Sequence, residues 1–184
     1  MAEGLGAVQT RWQRDKNYSL AVETAYNRMM SYTHYKTNGP LLRRFLEGSA
    51  ENLDWLSKHN LTFHLTQMSP TECITWHVVG KYKNSEHGAA YIEALSDWAK
   101  EKGATILTST PAKSLLTENG RVVGVKAADN QGNTYTIRAK AVIISTGGFN
   151  NSPERVRDWG HYDPAVYQGL VPLNKTGDGI AMAE

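Results

Sequence analysis

The 184-residue chain is 40% hydrophobic and 21% charged, with a formal net charge of +2. That balance suits a folded domain with a real core and removes any electrostatic case for nucleic acid or an anionic membrane surface. No apolar run approaches the ~18 residues that span a bilayer, and the single Cys73 excludes an intrachain disulfide or a cysteine-rich metal site.

Residues 1–15 mix Gly, Gln, Arg and Trp without a period and read as an entry segment packed on something else. They hold no basic stretch followed by an apolar core, so no signal peptide is expected. Tyr18, Val22, Ala25, Met29 and Tyr32 recur at helical spacing and predict a helix over 17–35, broken by Asn38-Gly39-Pro40. Pro40 then suits the first turn of a short helix through Leu41, Leu42, Phe45 and Leu46, closed by Gly48. Ser49 reads as the cap of another helix, with Leu53, Trp55 and Leu56 inward. Leu61, Phe63 and Leu65 alternate with polar residues, predicting a strand over 61–66 with one wet face. Met68-Ser69-Pro70-Thr71 reads as a loop, 76–80 as a short strand and 81–86 as exposed polar chain. A helix follows over 88–102, with Ile92, Leu95 and Trp98 or Ala99 inward and Gly103 as its stop.

Beyond Gly103 the period changes from helical to two. Strands are expected at 105–108, 112–117, 121–128 and 134–137. Asn119-Gly120 is a strong hairpin signal between the second and third, and Asp129-Asn130-Gln131-Gly132 is a further turn. The last three strands form a meander. Ala141-Val142-Ile143-Ile144 is a continuous apolar run, as in a strand buried on both faces of a parallel sheet, and it stops at Thr146-Gly147-Gly148. Ser152-Pro153-Glu154 has the chemistry of a helix start. Prolines and glycines over 160–175 break any long element. Thr176-Gly177-Asp178-Gly179 precedes five good helix formers, so a helix begins where the sequence stops and reads as truncated.

His34, His59, His64, His77, His87 and His161 have no metal-site spacing, and each reads as a surface or partly buried residue. Ser145 and Ser152 lack the Gly-x-Ser-x-Gly elbow of a hydrolase, and no carboxylate pair suits acid–base work. No catalytic residue and no metal ligand is therefore assigned. The two glycine clusters remain. Each alone also reads as an ordinary turn. Together they make an unusual pair: bare backbone after a buried strand, and backbone N–H groups at a helix start that can hold a phosphate or the polar edge of a ring. In open α/β sheets ligands bind beyond the carboxyl ends of the strands.

Gly124-Val125, the run Lys140-Ala141-Val142-Ile143-Ile144-Ser145-Thr146-Gly147-Gly148-Phe149, and Thr176-Gly177-Asp178-Gly179-Ile180-Ala181-Met182-Ala183 together resemble the fumarate reductase and succinate dehydrogenase flavoprotein family. Aspartate oxidase and ketosteroid dehydrogenases are relatives. Ser145 stands where the family usually has Ala. Gly88 with its helix, Gly103, Thr110 and Gly120-Arg121-Val122-Val123-Gly124-Val125 resemble the family's middle segment, and Glu3-Gly4-Leu5-Gly6-Ala7-Val8 does so less specifically. The resemblance implies an α/β fold: part of a Rossmann-type FAD-binding domain with an inserted three-stranded meander and several helices. A mainly helical part over 1–103, the meander over 104–140 and the glycine-bearing part over 141–184 are its expected sections. FAD is the implied cofactor. The Ala112 backbone would lie near the adenine, Thr146, Gly147 and Gly148 near the adenosine and pyrophosphate, and Thr176, Gly177, Asp178 and Gly179 by the flavin end.

The family's Gly-x-Gly-x-x-Gly turn, with an acidic residue about twenty positions on, has no counterpart here, nor do its C-terminal glycine-rich segment and capping domain. The expectation is an internal piece of a larger flavoprotein, or a split or truncated product, with the missing segments in cis or trans. The parent would pass a hydride between flavin and an activated C=C bond of a small enoate such as fumarate. A non-catalytic nucleotide-binding or assembly module, or a remnant without activity, stays open. The resemblance implies a cytoplasmic protein, or one of the cell envelope if an export signal lies upstream.

Overall fold

The computed structural model describes residues 4–69, 72–167 and 175–184. Pro70-Thr71 of the expected loop, Glu3 and residues 168–174 of the Pro- and Gly-broken stretch lie outside the described residues. The chain divides into two units, Met1–Ile106 and Leu107–Glu184.

The first unit begins with strand β1 (Gly4–Gly6) and the short helix α1 (Arg11–Asp15), where sequence alone gave only an entry segment. Thr10 starts α1 with a capping box: its hydroxyl accepts from the Gln13 N–H, and the Gln13 side chain accepts from the Thr10 N–H. Asn17 leaves α1 in the left-handed region, at φ 57, and the Tyr18 N–H bonds back to the Gln13 carbonyl. That turn delays the next helix, so α2 runs Val22–Tyr32 rather than from 17.

Helix α3 (Gly39–Ser57) corrects the sequence reading more sharply. Asn38 caps it, and it passes straight through Gly48 and Ser49. Buried Leu42, Leu46, Ser49, Leu53 and Leu56 recur at 4-3-4-3 spacing, and that stripe outweighs the cost of about 1 kcal/mol for a mid-helix glycine. Ser49 is no cap: its hydroxyl donates to the Leu46 carbonyl and accepts from the Val8 N–H.

Strands β2 (Phe63–Ser69) and β3 (Glu72–Val79) pair antiparallel, with Phe63 opposite Val79 and Thr66 opposite Trp76. Met68 and Ser69 thus belong to a strand, not a loop. β1 pairs on the far edge of β3, giving the order β1-β3-β2. Helix α4 (His87–Glu101) buries Ala90 and Ala94, while Ile92 is exposed, contrary to the expected inward set. Two small residues let this helix approach closely. Gly103 follows its C-cap Lys102 at φ +85, as a left-handed stop should.

Two apolar clusters result. Ala7, Leu53, Leu56, Leu61, Phe63 and Val79 pack with the buried α4 alanines. Val8, Leu20, Ala25, Leu42 and Leu46 form the other. His77 is 0% exposed, where a surface or partly buried residue was expected. It is held because both ring nitrogens find partners: Thr10 Oγ1 at 2.7 Å and the Leu5 carbonyl at 3.2 Å. Gln13 Nε2 extends the network to the Ala7 carbonyl and Thr75 Oγ1.

At the sequence boundary between the units an expectation is overturned. Residues 105–108 form no strand. The meander that follows is as expected: β4 (Ala112–Glu118), β5 (Arg121–Ala128) and β6 (Thr134–Arg138), in the order β4-β5-β6. Asn119 and Gly120 both take positive φ, 51 and 75, the conformation an Asn-Gly hairpin needs. In the next turn Asp129 accepts from the Gln131 and Asn133 N–H groups and from the Asn133 and Tyr135 side chains. Bonds from Asn133, then Tyr135, hold its carboxyl down to about 2.

The largest correction concerns 141–144. This run is not a strand, and Ile143 is 88% exposed. A central strand exists only where backbone partners lie beside it, and no described strand pairs with these residues. Helices α5 (Pro153–Asp158, capped by Ser152) and α6 (Asp178–Ala183) start where the sequence indicates. Among the described residues no helix is long and apolar enough to cross a membrane.

Candidate functional site

All eight cofactor-binding residues implied by the family resemblance fall in the second unit. The structure brings the two clusters together. Gly179 is buried, and a methyl group there would overlap Thr146 Oγ1 and lie 2.5 Å from Ile144 Cγ2. Glycine is therefore required by close packing of the segment after 141–144 against the start of α6. Gly177 precedes α6 at φ +80, and an added Cβ would come 2.8 Å from Phe149 Cβ. Both conformation and space demand glycine at that position. The Asn151 N–H donates to the Lys175 carbonyl at 3.0 Å and ties the segments again.

Side chains lock the same junction. Thr176 Oγ1 donates to Asp178 Oδ2 at 2.9 Å. Arg155, in the first turn of α5, donates to Asp178 Oδ1 at 2.9 Å and to the Thr176 carbonyl. The Arg155 bond, then the Thr176 bond, hold the Asp178 carboxyl below its ordinary range. Phe149 meets Trp159 edge-on with ring centroids 5.4 Å apart, and the Arg155 guanidinium lies over the Trp159 ring. Arg155 and Trp159 had no site role in the sequence, and Phe149 entered only as the end of the run 140–149. The helix start at Ser152-Pro153 was the available signal for Arg155, since it puts that residue in the first turn of α5.

A cleft of about 780 Å³ lies beside this junction. Ala112, Lys113 and Ser114 at the start of β4 line it, with Arg155, Asp178 and Met182. Ala112 and Asp178 thus share one cavity, while Gly147 and Gly148 do not line it. Their backbone is bare: Gly148 has nothing within 4 Å of an added Cβ, and Gly147 has only Lys175 Cγ, at 3.8 Å. Among the described residues no group of three His, Cys, Asp or Glu could hold a metal ion.

The chain is 31% identical to a vinyl phenol reductase of Lactiplantibacillus plantarum over 98% of its own length and 36% of that protein. It is 28% identical to an NADH:fumarate oxidoreductase of Klebsiella pneumoniae, over 98% of the chain and 19% of that protein. The chain thus spans about a third or less of these relatives. The open conformation of a flavocytochrome c3 fumarate reductase superposes with a TM-score of 0.81 at 24% identity, over 100% of this chain and 32% of that one, a likeness of fold. Residues 5–184 match the family described as the FAD binding domain, and the chain belongs to that family, a partial α/β FAD-binding domain.

Proposed function

We propose that this chain is a portion of a flavin-dependent oxidoreductase acting on activated C=C bonds, and that its second unit supplies part of the FAD cradle. The observation that carries the reading is the interlock of the two glycine clusters, Gly179 on Thr146, beside the cleft that holds Ala112 and Asp178. The residues present fit the adenosine and phosphate side of the cofactor. Gly147 and Gly148 offer bare backbone, Ala112 borders a cleft of about 780 Å³, and Lys113 places a cation in its wall, where Arg155 is paired with Asp178.

In this reading the Ala112 backbone reads the adenine edge, and Thr146, Gly147 and Gly148 approach the adenosine and pyrophosphate. Thr176, Gly177, Asp178 and Gly179 lead toward the flavin end. Asp178 shares the cleft with Ala112, which supports contact near the adenosine side as well. Bound FAD supplies the hydride chemistry, while these residues bind and orient it. None of them moves a proton or touches the reacting carbon. The relatives named for fumarate and vinyl phenol reduction support an enoate or conjugated alkene as substrate of the whole protein. The rest of the cradle comes from further segments in cis or in trans. Exposed Ile143 favours such a complement, since a run of this composition becomes a strand only beside another.

Amide chemical-shift mapping tests the residue roles. With the chain joined to a segment carrying a Gly-x-Gly-x-x-Gly turn, AMP and FAD are both expected to shift Ala112, Gly147 and Gly148, and only FAD extends the shifts to residues 176–179. Shifts confined to the first unit contradict the assignment.

A further inference from the structure

Helix α3 carries a second stripe outside its buried face, engaged among the described residues only at Trp55, which meets Trp98 edge-on with ring centroids 5.2 Å apart. Leu41, Phe45, Gly48, Asn52 and Trp55 repeat the 4-3-4-3 spacing of the buried face, displaced around the helix. Leu41 is 68%, Phe45 52% and Trp55 43% exposed. Gly48 sits at the middle, and an added Cβ there would meet nothing nearer than Asn52 Nδ2 at 3.9 Å. Large apolar residues at both ends and a small one at the centre form a surface against which another helix can lie closely.

The charges say which helix. α3 is basic in its first half, with Arg43 and Arg44, and acidic further on, with Glu47, Glu51 and Asp54. Arg43 is taken by Glu23 and Asp54 by Arg11. Arg44 and Glu51 flank Gly48 on one edge of the stripe, both exposed, and no ion pair engages either among the described residues. The pattern is self-complementary on reversal. An antiparallel copy centred on Gly48 sets Leu41 against Trp55 and Arg44 against Glu51, twice over, as a twofold interface requires. The antiparallel macrodipoles also attract. We propose that the outer face of α3 docks a second copy of this chain, antiparallel, with Gly48 at the twofold axis.

Sedimentation velocity on the full chain tests this, with charge reversals that leave the core untouched. The unsubstituted chain is expected to be a dimer. Arg44→Glu is expected to raise its dissociation constant about tenfold or more, through two like-charge contacts. Arg44→Glu with Glu51→Arg restores it, because each copy carries both changes. Gly48→Cys, oxidised, is expected to give covalent dimer well above that of the unsubstituted chain, which carries Cys73 alone. A monomer at all concentrations overturns the proposal, whether another protein or further chain covers the face. So does a double reversal as weak as the single one, or cross-linking no greater than in the control.

Discussion

The two units differ in what they do with apolar residues. The first closes two apolar clusters and even buries a polar network around His77. The second buries Ala127 and Val156 but leaves Ile143 in the open, while its buried Gly177 and Gly179 lie at the α6 junction. One unit spends its hydrophobic residues on its own stability. The other leaves its glycine backbone at 147–148 bare, as a binding surface must, while exposed apolar residues such as Leu41 and Ile143 occur in both units.

Core truncation in the first unit should break this contrast hardest. Leu53→Ala is expected to cost about 2–5 kcal/mol in denaturant unfolding, and a loss near zero would mean the cluster is not closed. Next comes Gly179→Ala, which forces Thr146 and Ile144 aside, for about 1–3 kcal/mol. Its mark should be faster amide exchange over 176–181 with the first unit unchanged. Unaltered exchange there contradicts the interlock.

His77 sharpens the comparison through pH. Burial disfavours its imidazolium and pushes it below the ordinary 6.5, only partly opposed by the bond to the Leu5 carbonyl. Below about 6.5 the unfolded chain therefore binds more protons than the folded one. The stability from neutral His77 is complete above that pH and is lost as the pH falls beneath it. An NMR titration of His77 at or above 6.5 would contradict this, and His77→Gln should flatten the acid limb. The smallest effect is expected from Ile143→Ser, within about 0.5 kcal/mol; a large loss by thermal unfolding would show that the Ile143 side chain is packed after all.

Local chemistry was legible in the sequence and distant pairing was not. The Asn119-Gly120 hairpin, the Ser152 cap and the Gly177 turn each depend on a few adjacent residues, and each forms as read. β1 pairs with a strand about seventy residues on, and no local period announces that. Gly48 looked like a stop because glycine is a poor helix former, but the Leu42-to-Leu56 stripe continues across it. His77 is buried by partners at Leu5 and Thr10, far away in the chain. The runs at 105–108 and 141–144 record that burial is needed somewhere, and composition alone does not say what provides it. For the site, the glycines were visible and the Arg155–Asp178 clamp was not, because it joins two helices through residues 23 positions apart rather than within one motif.

The central claim is that this chain holds one part of a divided FAD cradle. Flavin fluorescence titration of the 184-residue chain, alone and joined to a segment carrying a Gly-x-Gly-x-x-Gly turn, tests it most directly. Weak or no binding is expected alone and a stoichiometric complex when joined, reduced by Gly148→Val. A stoichiometric flavin complex of the chain alone would contradict it.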